Sequence, residues 1–154
     1  MDTTGPSSAH NDNANGSHPT RHRGSCHCGA VRFEVTVDLT RGGSRCNCSI
    51  CTKIGGLGAI VAPEALTILS PEAELGEYVW GGKISRRYFC KQCGIHTFSR
   101  GYLAEIGGAF AGVNLNTLDD VDPTALDTSY WDGRHNNWMA GTRATPWPIF
   151  GAAA

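Results

Sequence analysis

The sequence predicts an all-β or mostly-β domain that binds metal, and three observations carry that prediction. Glycine is frequent, 20 of 154 residues, about twice its usual share, as expected where tight turns join short strands. No window sustains a helical period, whereas short apolar or alternating runs recur between glycines. Seven cysteines fall into three tight clusters. The predicted strands are Ala30–Val37, which alternates and is β-branched, then Leu57–Val61, Leu66–Leu69, Glu77–Trp80, Ile84–Phe89, Ile95–Ser99 and Glu105–Leu115.

The clusters are C-x-C at Cys26 and Cys28, C-x-C-x-x-C at Cys46, Cys48 and Cys51, and C-x-x-C at Cys90 and Cys93, followed by Gly94. Close spacing lets two or three thiolates converge on one ion, and zinc is the first candidate. A closed structural zinc takes four protein ligands, while a catalytic one keeps three and leaves a place for water or substrate. Seven divides as four plus three. The first and third pairs lie at predicted strand ends, where hairpin-like turns can bring them together. The middle cluster lies in a predicted loop between Arg41–Ser44 and Gly55–Gly56, wrapping one face of a second ion. Disulfides are disfavoured, because cysteines two residues apart rarely meet the required geometry and no secretory pattern precedes them. A thioredoxin-like redox pair at Cys90 and Cys93 would need a strand-to-helix junction, and both flanks read as strands. The strongest competing reading is a single structural zinc with the other cysteines incidental.

Length fits one domain with a core of its own. The formal charge is −1, and no basic block exceeds Arg86–Arg87, so neither a nucleic-acid partner nor an anionic membrane surface is indicated. No run approaches the ~20 apolar residues of a spanning helix. Thiols that must stay reduced point to the cytoplasm. Residues 1–23 are polar, with almost no large apolar side chain, and are predicted to be a disordered tail in which His10, His18 and His22 are solvated. The zinc-binding β domain is placed at 24–150. Within it, 120–150 is an aromatic, Pro-rich segment predicted to wrap the sheets, with Trp131, Trp138 and Trp147 filling grooves, or to form a lid over the second zinc. An equally fair reading makes it a packing arm or a homodimer contact.

The runs Gly24–Phe33, Cys46–Cys51, Tyr88–Phe98 and Val113–Asn116 with Leu118–Asp119 together resemble the glutathione-dependent formaldehyde-activating enzyme family, which also includes centromere protein V. The resemblance covers about residues 24–120. It implies small β-sheets around a structural zinc, a fold shared with a zinc-binding exchange-factor and chaperone-like group. It also implies a structural zinc on Cys26, Cys28, Cys90 and Cys93 and an active-site zinc on Cys46, Cys48 and Cys51; with three protein ligands and an exchangeable fourth position, the second is expected to be the weaker and open to partial occupancy. The implied activity is that of a carbon–sulfur lyase, S-(hydroxymethyl)glutathione synthase, with glutathione as co-substrate and a small aldehyde as partner. A zinc carrying three thiolates can accept glutathione as a fourth, lower its thiol pKa and present the sulfur to a carbonyl. The alternative is a non-catalytic, zinc-stabilised binding module. Such a module needs only the four-cysteine site, so three further cysteines at metal spacing favour the enzyme.

Weaker candidates surround these. Asn114 and Asn116 are expected on one face of a strand, binding the peptide part of glutathione or equally serving the sheet edge, and Lys53, Arg86 and Arg87 are candidates for its carboxylates. His27, between two ligands, is expected to point away from the metal. His96 reads as a packed histidine ahead of a proton carrier. Arg134 and His135 become substrate contacts if the C-terminal segment is a lid.

Overall fold

The computed structural model describes residues 18–151. Its strands are β1 (Thr20–Ser25), β2 (Arg32–Val37), β3 (Gly43–Cys46), β4 (Gly58–Val61), β5 (Leu66–Ile68), β6 (Leu75–Val79), β7 (Ser85–Cys90), β8 (His96–Leu103), β9 (Gly108–Asn114) and β10 (Thr128–Trp131), with one short helix, α1 (Ser49–Ile54). They form a three-stranded sheet in the order β1-β2-β5 and a seven-stranded sheet in the order β10-β3-β4-β9-β8-β7-β6. The mostly-β prediction holds. No helix among the described residues is long and apolar enough to cross a membrane.

The core lies where the sheets face each other. On β2 the alternate residues Phe33, Val35 and Val37 are buried, the period-2 pattern of a strand with one face inward. Phe33 meets Phe98 of β8 edge to face at 5.4 Å between ring centroids, so an aromatic pair joins the small sheet to the large one. Leu57, Leu115 and Val31 complete the fully buried centre.

Several predicted boundaries move. The tail predicted to run to residue 23 ends sooner, because Thr20–Arg23 belong to β1 and pair with Val37–Glu34 of β2; alternation there is weak, so a polar strand passes for tail. His22 contacts Asp120 at 3.1 Å, and His10 lies outside the described residues. The predicted strand from Glu105 starts only at Gly108, because Ala104–Ile106 form a 3-10 turn closed by Gly107 at φ 98°. The cysteine cluster placed in a loop occupies instead the end of β3 and the start of α1. That helix has six residues, too few to show a period.

The C-terminal segment begins as an element of the main sheet. Strand β10 runs parallel to β3, pairing Trp131 with Cys46, and the approach is fixed upstream where the Gly43 amide donates to the Asp127 carbonyl at 2.9 Å. Gly42 has φ 66°, and a Cβ there would lie 2.2 Å from that carbonyl oxygen. Gly42→Ala combines a left-handed backbone with a collision against main chain, and is expected to destabilise the protein by at least about 1 kcal/mol. Equilibrium urea unfolding against the native chain measures it; unchanged stability would mean that β10 does not need this close approach.

Candidate metal centres and the cavity between them

Two hairpin turns bring four sulfurs together. Cys26 and Cys28 sit in the turn between β1 and β2, Cys90 ends β7, and Cys93 lies in the turn to β8. All four sulfurs lie within 4.8 Å of one another, with Cys26–Cys28 at 3.7 Å and Cys28–Cys90 at 3.6 Å. Zinc–sulfur bonds of about 2.3 Å imply tetrahedron edges of about 3.8 Å, so the spacing suits that ion. Backbone amides point at the sulfurs, Val31 N–H donating to Cys26 at 3.2 Å and the Gln92 and Cys93 amides to Cys90 at 3.3 and 3.4 Å. Donors of this kind favour the thiolate. The amides of Cys28 and Ile95 pull the Cys93 thiol down to about 6. At Cys28 the Ala30 amide acts the same way, but desolvation and the neighbouring sulfurs outweigh it and push the thiol up to about 11. Crowded thiols cannot all ionise unless a cation joins them.

The second group is Cys46 at the end of β3, Cys48 just before α1 and Cys51 in its first turn, their sulfurs also within 4.8 Å of one another. Hydrogen bonds from Cys46 and Cys51 hold the Cys48 thiol far below its usual range, while the same sharing with Cys48 and then Cys51 drives Cys46 up. Among the described residues no fourth histidine, carboxylate or thiol joins this set. Arg87 of β7 reaches toward it, Nη2 to Cys51 Sγ at 3.9 Å.

The C-terminal segment closes the other side of this triad. Asp132 is fully buried and accepts from Asn47 Nδ2 at 2.8 Å and Asn137 Nδ2 at 3.3 Å, with His135 Nδ1 at 2.6 Å. Burial alone would raise its carboxyl; these three partners reverse that and hold it below the usual range. Asn47, between two of the triad cysteines, is a hub: its Oδ1 accepts from the Arg134 amide at 2.9 Å, its carbonyl from Arg134 Nε at 2.9 Å, and its Nδ2 also donates to the Pro148 carbonyl at 3.1 Å. Arg134 and His135, expected as substrate contacts, are thus engaged in holding the loop. Of the three tryptophans expected to fill grooves, Trp131 is half-buried and meets the Trp138 ring at 6.0 Å, and Trp147 is half-buried and donates to the Tyr130 carbonyl at 2.9 Å, but Trp138 itself is exposed. Neither Asn47 nor Asp132 stood out in the sequence. Asn47 could have been marked by its place inside C-x-C, but nothing local ties Asp132 to a residue 85 positions earlier.

A cavity of about 920 Å³ lies between the two sulfur groups, lined by His27, Lys53, Arg87, His96, Asn114 and Asn116 among others. Three predicted glutathione contacts, Lys53, Asn114 and Asn116, therefore share one wall. They are not equivalent. Asn114 ends β9 and Asn116 lies in the following 3-10 turn, so they do not share a strand face as expected. The Asn114 amide is spent inside the protein, donating to the His96 carbonyl at 3.0 Å and accepting from the Asn116 amide at 3.2 Å. Lys53 and Asn116 are exposed. Arg86 pairs with Glu77 at 2.7 Å, leaving Arg87 as the arginine that faces the cavity. His27 is exposed on the cavity rim, outside the sulfur group. His96 is not the satisfied packed histidine expected, because both ring nitrogens are buried without a partner among the described residues.

The fit between segment and triad is tight at one point: a Cβ on Gly133 would lie 2.5 Å from Cys46 Sγ and 2.7 Å from the Trp138 ring. Gly133→Ala is expected to lower the triad's affinity for added zinc about tenfold or more, the range seen when supporting shells are disturbed. Chelator competition reads this, with the four-sulfur group as internal control. Equal affinity at the triad would show that the segment does not shape it.

The family model described as glutathione-dependent formaldehyde-activating enzyme matches residues 21–134 of this chain, past the expected limit near 120 and through β10 and Asp132. A relative from Halomonas elongata carrying that family name is 37% identical over 79 residues, which is 46% of this chain and 50% of the relative. One from Penicillium rubens is 32% identical over 80 residues, 49% of this chain and 41% of the relative. The chain spans about half the length of the curated relatives it matches. A crystal structure of a Rhodobacter sphaeroides protein matches with a TM-score of 0.58 at 31% identity, covering 66% of this chain and 92% of that one.

Proposed function

The chain belongs to the glutathione-dependent formaldehyde-activating enzyme family, and from that premise we propose that it forms and cleaves the carbon–sulfur bond between glutathione and a small aldehyde. The observation that supports this reading best is the division of seven sulfurs into a group of four and a group of three, with a cavity of ligand size lined by Cys26 of the larger group and by Ile50, Lys53 and Ile54 of the helix that carries Cys51. Four sulfurs suffice to brace a fold. Three sulfurs without a fourth protein ligand are what an exchangeable thiolate position requires. Zinc fits both donor sets, and at the triad it would supply a seat that lowers the pKa of an incoming thiol.

The chain's own residues then bind and orient. Glutathione is an anionic tripeptide at neutral pH, and Lys53 and Arg87 give the cavity two cations for its carboxylates. Arg87, whose guanidinium reaches Cys51, also links the cavity to the triad, whose cysteines are not themselves in its wall. Asn116 adds a free amide for the peptide backbone. Asn114 acts indirectly, fixing the main chain at His96. Formaldehyde is the aldehyde that the family's name supplies. Reduced, clustered thiols suit a reducing compartment, and the cytoplasm is the proposed location.

Titration calorimetry on zinc-loaded protein separates recognition of sulfur from recognition of peptide. S-methylglutathione, whose thioether offers no anionic sulfur, is expected to bind about tenfold or more weakly than glutathione. Equal affinity, or binding that persists when Cys46, Cys48 and Cys51 are all replaced by serine, would contradict the reading and favour a zinc-stabilised binding module.

A further inference from the structure

The cavity wall contains a side chain that nothing in the fold explains. His96 opens β8 opposite Phe89 of β7, beside a bulge that leaves Thr97 without a cross-strand partner; bulges of this sort re-aim side chains next to functional sites. Its carbonyl is held by Asn114, which fixes where the residue stands. Its ring is held by no hydrogen bond from the described residues. Both Nδ1 and Nε2 are buried and lack a partner, although a neutral imidazole carries one donor and one acceptor and buried polar atoms are almost always paired. The ring lines the cavity with Arg87 and Phe89, and Arg87 in turn reaches Cys51. The ring thus borders the cavity with its hydrogen-bonding capacity unused by the described residues.

We infer that His96 is the proton carrier of the carbon–sulfur step, an inference that rests on the reaction proposed above. In the forward direction one ring nitrogen takes the proton of the glutathione thiol, and the sulfur electron pair forms the bond to the aldehyde carbon. The carbonyl π pair moves onto oxygen, which receives a proton from the imidazole. The product is the S-hydroxyalkyl adduct, and the imidazole ends neutral as it began, so no further reactant is needed. In the reverse direction the hydroxyl proton returns by the same ring as the carbon–sulfur bond breaks. Desolvation, with the Arg87 charge as a second cause, lowers the His96 pKa to about 4, so the ring starts neutral at pH 7 and, once protonated, gives its proton up readily to the carbonyl oxygen.

The test compares His96→Gln with the native chain, both zinc-loaded. Glutamine keeps a donor and an acceptor in the cavity wall but cannot carry a proton. Exchange of the methylene group between free formaldehyde and S-hydroxymethylglutathione is followed by NMR, and glutathione binding by calorimetry. The expected result is a loss of turnover of about a hundredfold or more with glutathione affinity changed by less than about threefold. His96→Ala, which opens the ring's space, is expected to regain rate when imidazole is added, a response that a merely structural histidine would not show. Turnover in His96→Gln within about twofold of native, or loss without rescue in His96→Ala, overturns the inference while the proposed reaction stands. A native protein that does not accelerate the exchange overturns the reaction itself, and the role of His96 with it.

Discussion

The structure depends on two hairpin turns meeting at one point. Cys26 and Cys28 from the small sheet and Cys90 and Cys93 from the large sheet place four sulfurs within 4.8 Å, and two of those four side chains, Cys26 and Cys90, are buried in the apolar core. Thiols so close together compete for protons; the Ala30 amide fails to offset burial and the neighbouring sulfurs at Cys28, whose thiol is pushed up, while two amides pull Cys93 down. A divalent cation would resolve that competition by turning all four into ligands, and such binding contributes about 10 kcal/mol or more in small zinc domains. It would fix to one another sequence positions more than 60 apart, beside the Phe33–Phe98 contact across the sheets.

The second sulfur group is organised differently. Its three cysteines lie within six residues at a strand-to-helix junction, so local geometry alone brings them together. What local geometry does not provide is rigidity. That comes from the parallel strand β10 and the polar knot beyond it, where a buried carboxylate holds Asn47 between the first two cysteines. The result is a triad backed by protein where Gly133 meets Cys46 and approached by Arg87 at Cys51. Cavity, arginine and unpaired histidine all lie on the Arg87 side, which is the arrangement a thiol substrate entering from solvent would need.

Much of this was legible in the sequence because metal clusters announce themselves by spacing and strands by alternation. The four-plus-three division, the hairpin placement of the first and third pairs, and strands such as that ending at Val37 needed only residues near one another in the chain. The sequence hid whatever arises from long-range pairing. Strand β1 is polar because it lies at a sheet edge, so Thr20–Arg23 read as tail; α1 is too short to show a period. Asp132 looked like any loop acid, since the Asn47 amide that pairs with it comes from 85 positions earlier. His96 looked like a packing residue because whether a ring nitrogen finds a partner is a property of the surrounding fold.

The central claim is that one sulfur group holds the fold and the other holds an exchangeable metal. Chelator titration of protein loaded with two equivalents of zinc tests it most directly, with metal release and near-ultraviolet circular dichroism followed in the same sample. The account predicts two steps: the triad releases its zinc first with the tertiary signal intact, and the four-sulfur zinc leaves only as that signal collapses. Release of both ions in one step together with unfolding, or loss of every zinc from a protein that stays folded, would contradict it.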